Sequence, residues 1–137
     1  MPIQFRLLRI DVPQFAILTN EAINGPFGIN YEINFALGDK HIIKCVMKIV
    51  YMKDSSPITQ LMVEAFFAIE DSSWKEFEKE DSIVVPAGFL QHMAALTLGT
   101  ARGIQYAKTM GIGINNYMIP LTNLTEIITK DLVIRKQ

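Results

Sequence analysis

Ile29-Asn30-Tyr31-Glu32-Ile33-Asn34-Phe35-Ala36-Leu37 is the stretch that decides the fold class. Its large apolar side chains fall on every second residue, with Asn30, Glu32, Asn34 and Ala36 between them. A period of two is that of a β-strand with one buried and one polar face. Gly38-Asp39-Lys40 then reads as a tight turn, with Gly38 supplying a positive φ if the turn needs one. The next run, His41 to Lys53, puts Ile43, Cys45, Met47, Ile49 and Tyr51 on one face. Its other face mixes Lys44 and Lys48 with Ile42, Val46, Val50 and Met52. After a second turn at Asp54-Ser55-Ser56-Pro57, residues 58–70 repeat the arrangement. Leu61, Val63, Ala65, Phe67 and Ile69 share one side, and Gln60, Met62, Glu64, Phe66 and Ala68 the other. Short turns between such runs predict an antiparallel meander.

Working outward, Ile3 to Leu18 predicts a further strand, bent or broken at Pro13. Proline lacks the N–H of a central ladder, so this strand belongs at an edge. Thr19 to Phe27 reads as a crossover loop. Beyond Glu70 the pattern turns helical. Asp71-Ser72-Ser73 is expected to cap a short helix over 72–80, and Ile83-Val84-Val85 reads as a brief extended piece. Pro86 is suited to the first position of a long helix over 87–110, ended by Gly111. A Gly- and Asn-rich connection leads to a shorter helix over 124–132, capped by Thr122 or Asn123, although its β-branched residues favour helix poorly. Strands over about 3–70 followed by helices predict an α+β fold in one domain spanning 1–137.

The long helix carries an apolar stripe of Phe89, Met93 and Leu96, broadened by Leu90, Ala94, Ala101 and Ile104. Ala95, Gly99, Gly103 and Ala107 recur every four residues and form one ridge of small side chains. A glycine inside a helix costs about 0.5–1 kcal/mol relative to alanine, so another backbone is expected to come close there. Two partners fit: the chain's own sheet, or a second subunit for which these four residues form the interface.

Composition limits the function classes. Half of the 137 residues are hydrophobic, more than a small monomer hides well, which predicts an oligomer. A formal net charge of −1 supplies no basic field for nucleic acid. No apolar run approaches the roughly 20 residues of a membrane span, so no membrane insertion is expected. The start, Met1-Pro2-Ile3-Gln4-Phe5-Arg6, has no basic segment leading into an apolar run. With a single cysteine, Cys45, the expected location is the cytoplasm. No cofactor, metal or catalytic residue is expected. His41 and His92 are the only histidines, and neither they nor Cys45 have zinc-ligand spacing. Neither histidine is tied to an acid or a nucleophile by local spacing. Gly99-Thr100-Ala101-Arg102-Gly103 lies mid-helix and lacks the ending of a phosphate loop, and Gly111-Ile112-Gly113 is a single Gly-x-Gly with no helix after it.

The order of features resembles the SecB chaperones. Phe5-Arg6-Leu7-Leu8-Arg9-Ile10 resembles that family's opening strand, and Phe67-Ala68-Ile69 its last strand ending. Ile119-Pro120-Leu121-Thr122-Asn123 is similar to the loop before its final helix. The resemblance implies a cytosolic homotetramer, a dimer of dimers, that holds unfolded polypeptides in apolar grooves without ATP, for export or for antitoxin protection. Adaptable grooves need exposed aromatic and flexible apolar side chains. The candidates in or near loops, or on the mixed strand face, are Phe27, Phe66, Trp74, Phe77, Tyr117 and Met118. The family docks on the SecA motor through acids on its first and last strands. The matching places here hold Gln14, Leu18 and Gln60, with Glu64 the one acid inside the last strand, which argues against SecA docking. Two rivals stand beside this reading. One is a hot-dog-type acyl-thioester enzyme, whose helix normally lies between strands and which would need an acid on it; none stands between Ala87 and Met110. The other is a structural subunit that binds one folded partner.

Overall fold

The computed structural model describes residues 2–19, 26–120 and 122–136, so residues 20–25 of the expected crossover and Leu121 lie outside the described residues. Strands β1 (Phe5–Ile17), β2 (Gly28–Leu37), β3 (Ile42–Lys53) and β4 (Ser56–Ile69) form an antiparallel sheet in the order β1-β4-β3-β2. The two tight turns set β2, β3 and β4 side by side, and β1 takes the far edge, where its proline is tolerated. Two residues of β1, Val12 and Pro13, stand between the pairs Asp11↔Glu64 and Gln14↔Met62, opposite the single residue Val63. That is a β-bulge at the expected break. Nearer the start of the strand, the first of its two bulges inserts Leu8 between the pairs Leu7↔Phe67 and Arg9↔Phe66.

The turns depart from expectation. Positive φ falls on Lys40 (56°) and His41 (62°), not on Gly38. Gly38 instead continues the ladder, donating its N–H to the Ile42 carbonyl at 2.7 Å. In the second turn Asp54 and Ser55 carry the positive φ. Pro57 lies inside β4, where the β3–β4 register shifts and no N–H is missed.

The alternating faces are as the sequence predicts. Ile43, Cys45, Met47, Ile49 and Tyr51 of β3, with Leu61, Val63, Ala65 and Phe67 of β4, are fully buried. Each such large side chain stabilises the fold by about 1.5–3 kcal/mol. Helix α2 (Ala87–Lys108) covers this face with Phe89, Leu90, Met93, Ala94, Leu98 and Ala101. Leu96, expected in that stripe, is 43% exposed. It sits two residues from Ala94, about 200° around the helix and so on the other side. Pro86 precedes α2 as its cap, with an extended ψ of 144°, and is not its first helical residue.

Helix α1 spans Asp71–Phe77, and Glu78 already bridges to Ile83, so the helix ends short of residue 80. Its cap is Glu70 rather than the Asp71-Ser72-Ser73 group, and the Ser73 hydroxyl accepts the N–H of Gln4 at 2.8 Å. At the C-terminal end, α3 covers only Leu124–Ile127, with Asn123 accepting the N–H of Thr125 at 3.2 Å as its cap. The rest of the expected 124–132 helix is extended, and β6 (Leu132–Arg135) pairs antiparallel with β5 (Ser82–Val85). Ile127, Ile128 and Thr129 are β-branched and resist helix. A neighbouring extended segment at 82–85 supplies the ladder that Val133 and Ile134 favour instead. The fold class is α+β: a four-stranded antiparallel sheet, then a long helix and a short C-terminal one.

Candidate functional site

Among the described residues, the inner face of β2 is less completely covered than those of β3 and β4. Helix α2 lies over β3 and β4 and buries their residues completely, whereas Ile29, Tyr31, Ile33, Phe35 and Leu37 remain half-buried. Two depressions follow one another along this flank. The first, about 470 Å³, is lined by Phe27, Ile29, Tyr31, Met118, Pro120 and Thr122. The second, about 370 Å³, takes Ile33 and Phe35 from β2 and Leu90, Ile127, Ile128 and Leu132 from the opposite wall, with Asn34, Thr129, Lys130 and Asp131 as its polar rim. Consecutive inward residues of one strand, Tyr31 and Ile33, thus pass from one depression to the next.

The opposite wall is held by its own carbonyls. Tyr51 donates its hydroxyl to the Tyr117 carbonyl at 2.6 Å. Arg102 donates from Nε to the Ile119 carbonyl at 2.6 Å, and its terminal nitrogen reaches Pro120 at 3.2 Å. Gln91 donates to the Ile128 carbonyl at 2.7 Å. Gln91 and Arg102 stand three turns apart on one flank of α2. Residues 117–120 and Ile128 are therefore tied to α2 and the sheet, and the Thr122 hydroxyl donates to the Tyr31 hydroxyl at 3.2 Å across the first depression. The wall-holding residues Tyr51, Gln91 and Arg102 were missed in the sequence, where the spacing of Gln91 and Arg102 along one flank of the long helix was the available signal.

The free edge of β2 bounds the groove on its open side. Gly38 is hydrogen-bonded to Ile42, and antiparallel ladders alternate. The even-numbered residues of β2 therefore bond to β3, and the N–H and C=O of Tyr31, Ile33 and Phe35 point outward. Among the described residues no backbone group bonds to them. The pairing of β2 with β3 runs from Gly28 to Leu37 without a bulge.

The expected binding residues separate into three places. Phe27, Tyr117 and Met118 come together at the first depression. Phe27 stacks on Tyr51 (5.5 Å between centroids) and meets Tyr117 edge-on at 4.9 Å, while Met118 is 50% exposed. Phe66 lies on the opposite face of the sheet, under the Arg9 guanidinium at 4.2 Å. Trp74 and Phe77 are core residues, buried to 5% and 1% exposure, because α1 turns both inward against the Phe89 side of the core. They present no surface to a partner. The ridge of Ala95, Gly99, Gly103 and Ala107 faces outward and is exposed along its length. A side chain built at Gly99 or Gly103 would meet nothing within 4 Å, so packing on the chain's own sheet does not account for these glycines.

Burial pushes the Tyr51 phenol up to about 12, with Tyr31 adding to the rise against the nearby Gln105 amide and Arg102 charge. The Tyr51 phenol is therefore neutral across the physiological range. Cys45 is fully buried, and burial pushes its thiol up to about 11 despite Thr97, which makes it an unreactive core side chain. The fold unites His41 with Asp71, at 3.0 Å from Nδ1, a pairing invisible to local spacing. The same ring stacks on Trp74 at 4.7 Å. His92 is exposed beside the Phe5 ring. Among the described residues no group of three or more His, Cys, Asp or Glu is placed to hold a metal ion. Among the described residues no helix is long and apolar enough to cross a membrane.

No protein-family model and no curated protein matches the chain. Among solved structures, the chain is similar to a SecB-like chaperone of Mycobacterium tuberculosis determined in complex with a peptide from an antitoxin. The identity is 10%, with 89% of each chain covered and a TM-score of 0.45. At that level the likeness says nothing of what this chain binds.

Proposed function

We propose that the chain is an ATP-independent holder of non-native polypeptide that acts as an oligomer in a reducing compartment such as the cytoplasm. The observation that carries the reading is the half-buried apolar row of β2, where two depressions, the first mainly apolar and the second with a polar rim, lie in series beside a strand edge that no described residue pairs. An extended guest laid along this strand gains main-chain hydrogen bonds from the outward groups of Tyr31, Ile33 and Phe35. Its alternate side chains then drop into the depressions, the physics of β-strand addition. Phe27, Tyr31 and Met118 suit varied guests, because flat aromatic and flexible thioether surfaces repack at low cost.

Self-association belongs to the same reading. The outward face of α2 carries Leu96 and Tyr106 beside the ridge of Ala95, Gly99, Gly103 and Ala107, with Met110 just beyond its end, all exposed in the single chain. We assign this ridge to a subunit interface in a particle of four chains, with helix backbones in close approach. Such an interface leaves the β2 flank of every subunit open. The experiment is to mix the purified protein with a reductively unfolded client, follow light scattering, and size the complex. Suppressed aggregation with a stable complex of about four chains plus client is expected. A client that aggregates at its unassisted rate would reject the reading.

A further inference from the structure

The sheet face turned away from α2 carries a second concavity, unrelated to the β2 flank. It is a cup of about 320 Å³ to which all four strands contribute, with Leu8, Ala36, Ile42 and Phe66 among its apolar lining and Arg9 and Lys44 as its only charged residues. Leu8 reaches it because the first bulge of β1 inserts that residue between Leu7 and Arg9, and bulges re-aim side chains. The Arg9 guanidinium stands 4.2 Å from the Phe66 ring centroid and the Lys44 ammonium 5.8 Å from the same ring. Each cation has its own carboxylate: Asp11 at 3.3 Å from Arg9, and Glu64 at 3.3 Å from Lys44. Neither carboxylate lines the cup. The interior is therefore an apolar floor beneath two positive heads.

We propose that this cup binds a small apolar carboxylate, a medium-chain fatty acid, with its alkyl chain over Phe66 and Ile42 and its carboxylate between Arg9 and Lys44. The volume lies at the lower end of small-molecule sites, which sets the ligand's size. Charge recognition is inexpensive here. The Arg9–Asp11 pair is solvent-exposed, with side-chain exposures of 64% and 46%, and such pairs contribute about 0–1 kcal/mol. A carboxylate ligand that draws Arg9 toward the cup loses little and gains a charge-assisted contact. Phe66 already holds both cations by cation–π attraction, so they are pre-positioned on the rim.

The test titrates octanoate into the full-length protein and maps the backbone amide shifts. Saturable binding with shifts centred on Ile42, Lys44 and Phe66 is expected. Octan-1-ol, the same body without the charge, should bind roughly tenfold more weakly, the worth of one charge-assisted contact. Acetate, the charge without the body, should not saturate. Arg9→Gln and Lys44→Gln should each weaken octanoate several-fold while leaving octanol unchanged, and Ala36→Trp should fill the cup and abolish both. All three positions lie on the outer face, so the fold is retained, with circular dichroism as the control. Equal affinity for octanoate and octanol, shifts centred on Phe27 and Met118 instead, or no saturation at all would overturn the proposal.

Discussion

The two edges of the sheet are built in opposite ways. β1 carries two bulges, a proline at the second of them, and an Arg9–Asp11 ion pair along its length. These are the devices by which natural sheets prevent an edge from pairing with another chain. β2 has none of them. Its ladder is unbroken over ten residues, and its one charged side chain is Glu32. Its polar side chains Asn30, Glu32 and Asn34 make no hydrogen bond or ion pair. An edge left straight and unprotected beside a row of half-buried apolar side chains is a liability unless something is meant to lie there. Within one sheet the chain guards one border and leaves the other open, which locates function more narrowly than composition does.

The largest effect should come from closing the open edge. Ile33→Lys places an inward charge at the junction of the two depressions, where a lysine repels a strand that tries to pair with the edge. Affinity for an unfolded client, measured by fluorescence titration, should fall about a hundredfold, or about 2.7 kcal/mol. Val12→Lys makes the same change on the guarded edge, at a residue 36% exposed, and should leave affinity within about twofold, near the ±0.5 kcal/mol of ordinary surface substitutions. Equal losses in the two variants would erase the distinction between the edges.

A second measurement uses the groove wall. The Tyr51 phenol is raised from 10.0 to about 12, so the fold favours its neutral form. The associated stability is fully present below about pH 10 and is lost as pH rises through about 12, on the order of 2–3 kcal/mol. Cys45, raised from 9.0 to about 11, contributes a similar loss one unit lower. Tyr51→Phe should remove the upper part of the alkaline decline in denaturant midpoint and leave the Cys45 part. At pH 7 it should cost about 1 kcal/mol by deleting the bond to the Tyr117 carbonyl. Hydrogen exchange should quicken along residues 117–120 and not along β1.

The β-half of this fold is legible because one period governs it. Where Ile29 to Leu37 alternates, the structure has β2, and where Pro13 interrupts, β1 has its bulge at an edge. The C-terminal end is less legible, because Leu124 to Ile134 satisfies helix and strand periods alike. Only the presence of β5, which ends at Val85, far away in sequence, selects the strand at Leu132. The candidate site divides in the same way. Phe27, Tyr117 and Met118 could be named from their positions in loops, but nothing local distinguished them from Trp74 and Phe77, which a short helix turns inward. The groove itself was not readable. It exists because α2 covers β3 and β4 and stops short of β2, a matter of where a helix lands rather than of what any segment contains. The wall carbonyls held by Gln91 and Arg102 are invisible for the same reason.

The smallest expected change tests the guarded edge by unguarding it. Between Asp11↔Glu64 and Gln14↔Met62, β1 has one residue more than β4. Deleting Pro13 leaves Val12 opposite Val63 and restores one-to-one pairing with no other register change. The variant should fold, since the ladder gains an N–H and loses a residue that had no partner to give. Its outer edge then runs straight from Arg9 to Ile17, and the protection afforded by the bulge is gone. A modest rise in concentration-dependent association is expected by light scattering, about twofold to threefold in the particles above the native size. Ile33→Lys in the same background should not reverse it, because the new contact uses β1. If Ile33→Lys does reverse it, self-pairing runs through β2 in both proteins, and the asymmetry of the edges does not govern which one another chain can join.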